Sequence, residues 1–272
     1  MTLPVRLIAT DIDGTLLNRE GKVTDRCLSA IRKAVGRGIV FGIASGRFPE
    51  NVFVKFRGEG LVCPIIGING AHIVDEKLRS LQEHYIQRDA SIRVQKLLED
   101  AGADYFMFAP HRICSSNPAI RHHSELSNGD DVKELGFSYC RGSDAAREMA
   151  KGSVYKYYVC ANVPLDPLRA ALRGIGSVTV TQSAPMNIEV MPQDVDKGRG
   201  VSDLARMLGI PLSQVMTLGD EENDIPMLKI AGFGVAMGNA SQAAKAAAKY
   251  ITATNDEDGL AAAIECYALQ ED

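Results

Sequence analysis

VRLIATDIDGTLLN, residues 5–18, decides the fold. Its first six residues are mostly apolar, with the β-branched side chains of a strand buried on both faces. The apolar run then stops on Asp11-Ile12-Asp13-Gly14-Thr15. A buried strand that ends on two carboxylates and a glycine reads as one strand of an open parallel sheet, where ligands bind beyond the carboxyl ends of the strands. The same rhythm continues downstream. A helix is predicted from about Thr24, with Leu28, Ile31 and Val35 on one face and Gly36 and Gly38 as stop signals. IVFGIA (39–44) and PIIGIN (64–69) are two more buried strands. Continuous apolar strands separated by helices imply an α/β fold with a parallel sheet covered on both faces.

The pattern changes after residue 82. An amphipathic helix is expected over 89–101, with Ile92, Val94, Leu97 and Leu98 among its apolar positions. ADYFMFAP (103–110), VYKYYVCA (154–161) and SVTVTQS (177–183) read as strands, with a helix within 165–173 and a polar, irregular stretch over 111–143. The first pattern then resumes: a helix over 198–208, VMTLG (215–219), a helix near 222–231, GFGVAMG (232–238), an Ala-rich helix over 240–248, then a short strand and a last helix. The chain therefore divides into a core (1–82 and 188–272) with a Rossmann-like parallel sheet, and an inserted α+β domain (83–187), with hinges near 82 and 187.

The chain has 272 residues, 46% of them hydrophobic, enough to build a core in each domain. Its formal charge is −4 and it has no long Lys/Arg run, which argues against nucleic acid as a partner. No stretch approaches the ~18 apolar residues of a membrane span. The N-terminal residues do not resemble a signal peptide. A soluble, cytoplasmic protein is expected. The six cysteines form no CxxC pair and read as reduced, packed residues. The oligomeric state has no signature in the sequence.

Four stretches carry chemistry. Asp11 and Asp13 repel each other unless a cation or a shared proton relieves them, and Mg²⁺, a hard ion that takes oxygen ligands, fits that need. Ser45-Gly46-Arg47 follows the strand ending at Ala44 and offers a hydroxyl and a flexible backbone N–H at a helix start, although a serine there can also be a plain N-cap. Lys197 opens a helix; alone it would be a solvated charge, and with the other sites it becomes a cation for phosphate. Gly219-Asp220-Glu221-Glu222-Asn223-Asp224 follows another strand; the helix dipole explains acids from Glu221 onward better than it explains a Gly-Asp directly after the strand. Carboxylates, a hydroxyl and a lysine at strand ends are the inventory for a metal, a phosphate and a nucleophile.

Those stretches resemble the haloacid dehalogenase superfamily, in particular its Cof-type sugar-phosphatase branch with a large inserted cap. TDIDGTLLN (10–18), ASGR (44–47), NGA (69–71), DKG (196–198), LGDEEND (218–224), VAMGNA (235–240) and NDEDGLAAAI (255–264) match in order. The resemblance implies that Asp11 attacks phosphorus and forms an aspartyl-phosphate. It implies that Asp13 is the acid for the leaving alcohol and then the base for water. It implies Mg²⁺ held by Asp11, the Asp13 carbonyl and Asp220, with Asp224 supporting that shell or reaching the ion through water. Ser45, the Gly46 and Ile12 N–H groups and Lys197 would bind phosphoryl oxygens, and Asn223 would touch phosphate or orient Lys197. An acid two residues after the nucleophile suits a phosphatase, since dehalogenation needs no proton on its leaving group.

The expected substrate is a sugar phosphate or similar small phosphomonoester, selected by the cap; Arg47 is a candidate contact to its leaving group. A phosphomutase of the same superfamily and a non-catalytic phosphometabolite-binding module are the alternatives. His122-His123 is not read as a metal pair, because adjacent side chains diverge.

Overall fold

The computed structural model describes residues 5–122, 125, 131–181 and 186–269. The chain runs β1 (Leu7–Thr10), α1 (Asp25–Gly36), β2 (Val40–Ala44), α2 (Pro49–Arg57), β3 (Ile65–Gly67), β4 (His72–Val74) and β5 (Ser80–Glu83). It continues through α3 (Arg88–Asp100), β6 (Tyr105–Ala109), β7 (Arg112–Ser115), β8 (Ser138–Arg141), α4 (Ser143–Ala150), β9 (Lys156–Cys160), α5 (Leu165–Arg173), β10 (Val178–Thr181) and β11 (Asn187–Pro192). It ends with α6 (Lys197–Met207), β12 (Val215–Gly219), α7 (Ile225–Ile230), β13 (Phe233–Ala236), α8 (Gln242–Ala247), β14 (Tyr250–Ile251) and α9 (Gly259–Tyr267).

Two compact units result. The first holds the residues up to Gly46, Cys63–Arg79 and those from Asp196 onward. Its strands lie in the order β14-β13-β12-β1-β2-β3-β4. They are parallel from β14 to β3, and β4 returns antiparallel to β3. β1 is buried along its whole length because it lies in the middle of the sheet. Leu7, Ala9, Ala44 and Ile66 meet Val201 and Leu204 of α6 and Met227 of α7 in one core. Register then fixes the site. Thr10 pairs with Leu218 on one side and Ile43 on the other. Asp11, Ser45 and Asp220 therefore leave three neighbouring strands at the same edge.

α1 forms where the sequence predicts it, capped by Thr24, whose Oγ1 accepts from the Cys27 N–H at 3.2 Å. Its buried stripe is shifted, however. Cys27, Ala30, Ile31 and Ala34 face inward, while Val35 is 52% exposed. The helix packs against α9, and its buried stripe runs through smaller residues than the sequence pattern suggests.

The second unit holds Arg47–Val62 and Ser80–Val195. Its sheet has the order β10-β11-β9-β6-β7-β8, antiparallel except for the β7–β8 pair. Val94 and Leu98 of α3, Ala146 of α4 and Leu168 and Leu172 of α5 cover one face against Tyr105, Met107, Tyr157 and Val190. On the other face, Lys156 Nζ lies 3.0 Å from Glu189 Oε1 and 4.6 Å from the centre of the Phe108 ring. Phe48 stacks on Phe108 at 5.2 Å. This division differs from the sequence boundaries in three places, the first being that residues 80–82 fall in the second unit. β11 belongs to the second sheet, so that crossing falls at Val195–Asp196 and not near 187. α2 groups with the second unit because Phe48 packs there. An apolar run such as IEVMP carries no signal of which sheet it joins. His123 of the His122-His123 pair, and the last two residues of SVTVTQS, lie outside the described residues.

Candidate active site

The sheet edge of the first unit gathers the charged groups. Lys197 is the first residue of α6, behind the N-cap Asp196, whose carboxylate accepts from the Arg199 N–H at 2.8 Å. Its Nζ donates to Asp11 Oδ1 at 2.5 Å and to Asp224 Oδ1 at 2.6 Å. The Lys197 and Asp224 side chains are 1% and 0% exposed. Asp224 uses its second oxygen as well. Oδ2 accepts from the Asp220 N–H at 2.9 Å and the Glu221 N–H at 3.0 Å, so it locks the turn that presents Asp220. Gly219 is required there, since a Cβ would lie 2.5–2.7 Å from the Asp224 side chain.

Asp220 is buried and accepts a 2.7 Å hydrogen bond from Thr15 Oγ1. Gly14 packs on that carboxylate with φ +83°, a conformation glycine adopts without strain, and any Cβ would run into the Asp220 oxygens. The two carboxylate loops, 11–15 and 220–224, thus fit each other directly.

One ligand atom from each of Asp11, Asp220 and Asp224 lies within 4.8 Å of the others. When all three carboxylates are ionised, one ammonium leaves two negative charges unbalanced. Burial pushes the Asp11 carboxyl up to about 8, with Lys197 opposing it and Asp224 adding to it. Burial pushes Asp220 up to about 7, opposed by the Thr15 hydrogen bond. Burial works against the Lys197 ammonium too, but Asp11 and Asp224 outweigh it and hold its pKa above the ordinary value. A buried set of hard oxygen donors short of two positive charges fits a divalent cation such as Mg²⁺.

The other residues expected from the sequence fall as follows. Ile12 is buried directly after Asp11. Asp13 is exposed, two residues beyond the buried Asp11. Ser45 is buried; its N–H donates to the Ile66 carbonyl at 2.8 Å and its carbonyl accepts from the Asn69 N–H at 2.9 Å. Gly46 follows it, and Arg47 is half-buried as the first residue of the second unit. Asn223 is half-buried, with Nδ2 3.4 Å from Asn69 Oδ1.

Three side chains with no role assigned from sequence belong here: Thr15, Asn69 and Asn239. Asn69 is buried in the left-handed region, φ 52°, which asparagine tolerates, next to Ile68 at φ 51°, which a β-branched residue resists. That reversal between β3 and β4 carries Asn69 to Asn223. Asn239 donates to the Gly14 carbonyl at 2.8 Å. NGA and MGNA marked both asparagines, but only the fold shows what they hold.

A family model described as haloacid dehalogenase-like hydrolase matches residues 8–264. The chain belongs to the haloacid dehalogenase-like hydrolases. It is 30% identical over 267 residues to the 5-amino-6-(5-phospho-D-ribitylamino)uracil phosphatase YcsE of Bacillus subtilis, covering 97% of this chain and 96% of that protein. It is 30% identical to the phosphatase YwpJ of the same organism, covering 94% and 98%. A solved haloacid dehalogenase-like hydrolase from B. subtilis shares the fold with a TM-score of 0.82 at 28% identity, over 96% of this chain and 99% of that one. The α/β fold class and the enzyme class expected from the sequence, a phosphatase of this superfamily, agree with the family match and these relatives. No helix among the described residues is long and apolar enough to cross a membrane.

Proposed function

We propose that this haloacid dehalogenase-like hydrolase is a Mg²⁺-dependent phosphatase that cleaves a small phosphomonoester through an aspartyl-phosphate at Asp11. The observation that carries the reading is the Lys197 ammonium, buried between Asp11 and Asp224 beside Asp220. Asp11, the Asp13 carbonyl and Asp220 would hold Mg²⁺, which would supply charge neutralisation for the phosphoryl oxygens and favour the ionised form of Asp11.

An Asp11 carboxylate oxygen attacks phosphorus, and the bond from phosphorus to the ester oxygen breaks. Asp13 gives its proton to that departing oxygen; its exposed carboxyl suits exchange with substrate and water. Water then attacks the phosphorus of the aspartyl-phosphate, Asp13 takes the proton, and phosphate leaves as Asp11 is regenerated. Lys197, the Ser45 hydroxyl and the Ile12 and Gly46 N–H groups hold the phosphoryl oxygens. Asp224 orients Lys197 and the Asp220 turn, since both of its oxygens already accept hydrogen bonds. Asn223 works through Asn69 on the same edge.

The second unit acts as the cap that selects the substrate, with Arg47 as a contact to the leaving group. A sugar phosphate or a similar phosphorylated metabolite is the substrate class, in keeping with a relative named for a phosphoribitylamino compound. A cytoplasmic location is part of this reading, in keeping with six cysteines whose spacing contains no CxxC pair.

Release of inorganic phosphate from a panel of phosphorylated metabolites tests this reading. Turnover that stops with EDTA and returns with Mg²⁺ supports it. Metal-independent turnover, or transfer to an added sugar in preference to water, overturns it.

A further inference from the structure

MGNAS (237–241) and the segment from Asn255 take no part in the reaction above, yet hydrogen bonds tie them to both carboxylate loops. On one side, Asn239 Nδ2 donates to the Gly14 carbonyl at 2.8 Å. The Asn239 Oδ1 in turn accepts from the Asn255 N–H at 3.0 Å, and Asn255 Nδ2 donates to the Leu17 carbonyl at 2.8 Å. On the other side, the Met237 N–H donates to the Gly219 carbonyl at 3.1 Å and the Ser241 N–H to the Asp220 carbonyl at 2.9 Å. The strap is itself anchored where the Gly238 N–H meets the Ala253 carbonyl at 2.9 Å. One five-residue stretch therefore grips the main chain of the loop carrying Asp11 and Asp13, and the main chain of the loop carrying Asp220.

An asparagine amide donates and accepts at once, which is what a link between two backbone segments needs. The grip has a target that tolerates little movement. Gly14 touches the Asp220 carboxylate directly, so a shift of the 14–17 loop changes the spacing of the acidic groups. A purely structural role fits poorly with exposure: Asn239 is exposed and Asn255 half-buried, and neither fills the core.

We infer that Asn239 and Asn255 are positioning residues that set the distance between the Asp11–Asp13 loop and Asp220. The inference rests on the Mg²⁺-phosphatase reading of that site. The test compares the parent protein with Asn239→Ala, Asn255→Ala and the double variant. Three quantities are read: turnover of an aryl phosphate, Mg²⁺ binding to the metal-free proteins by calorimetry, and the thermal midpoint.

Each single variant is expected to lose about 10- to 100-fold in kcat, the scale of an ångström's misplacement, with KM nearly unchanged. Mg²⁺ binding weakens and the thermal midpoint barely moves. The double variant loses no more than the worse single one, because both changes cut one chain of bonds. Parent-like kcat and Mg²⁺ binding in both single variants overturns the inference, as do losses that multiply in the double. If an alanine variant proves unstable, Asn239→Asp keeps the shape and the acceptor for Asn255 but not the donor to Gly14. Parent-like kcat in that variant also overturns the inference. A parent without turnover contradicts the phosphatase reading instead, and the Mg²⁺ titrations still decide whether the strap sets the site.

Discussion

Lys197 Nζ lies 2.5 Å from Asp11 Oδ1, and the lysine side chain is 1% exposed. A cation placed there holds the nucleophile and cancels part of the charge that phosphate brings. Replacing it by Lys197→Met leaves Asp11 and Asp224 buried without a counter-charge. The metal-free variant should lose about 3–5 kcal/mol of stability, the cost of breaking a buried pair from one side. Turnover should fall by about 10²–10³-fold or more, as for loss of a main transition-state donor. Thermal unfolding and aryl phosphate kinetics check both; an unchanged kcat would remove Lys197 from the mechanism.

The carboxyl shifts give a pH dependence with a definite sign. Asp11 and Asp220 titrate near 3.8 when unfolded, but at about 8 and about 7 in the metal-free fold. Between those limits the folded protein binds more protons than the unfolded one, so stability falls as pH rises from about 4 through about 8. Denaturant unfolding in EDTA at pH 5 and pH 8 measures this. Mg²⁺ should stabilise more at pH 8, where fewer protons have to leave than at pH 5. Metal-free stability that rises over this range contradicts the buried-acid account.

Gly14→Ala places a methyl group against the Asp220 carboxylate at φ +83°. The left-handed conformation alone costs about 1–2 kcal/mol, and the collision adds to it. The larger expectation is functional: Mg²⁺ binding should weaken as Asp220 is displaced. Calorimetric titration of the metal-free variant reads this directly, and parent-like affinity would show that the Gly14–Asp220 contact does not matter.

Much of this was legible in the sequence because the decisive signals are local. LIAT ending on Asp11 and VMTLG ending on Asp220 are buried strands with carboxylates at their ends, and a parallel sheet brings such ends together. What stayed hidden is pairing at long range. Thr15 and Asp220 lie 205 residues apart, and Asn239 reaches the Gly14 carbonyl across 225 residues. No periodicity encodes such a partner. The shifted stripe of α1 has a different cause. Val35 is more apolar than Ala34, but it is Ala34 that lies in the buried stripe with Cys27, Ala30 and Ile31.

The second unit offers an independent check on its own packing. Lys156 and Glu189 are 3% and 2% exposed and pair at 3.0 Å. Lys156→Met removes one side of this buried ion pair and should cost about 3–5 kcal/mol, whereas adding Glu189→Leu should recover most of the loss. Denaturant unfolding of both variants tests the pair. Equal destabilisation in the single and the double variant contradicts it.

The central claim is that Asp11 is the nucleophile. Asp11→Asn keeps the shape of the side chain and an oxygen for the Lys197 hydrogen bond, but removes the carboxylate that attacks phosphorus. The most direct measurement is aryl phosphate turnover by this variant in saturating Mg²⁺, alongside its thermal midpoint. The account predicts a folded protein with turnover at background; a folded variant that still turns over would contradict it.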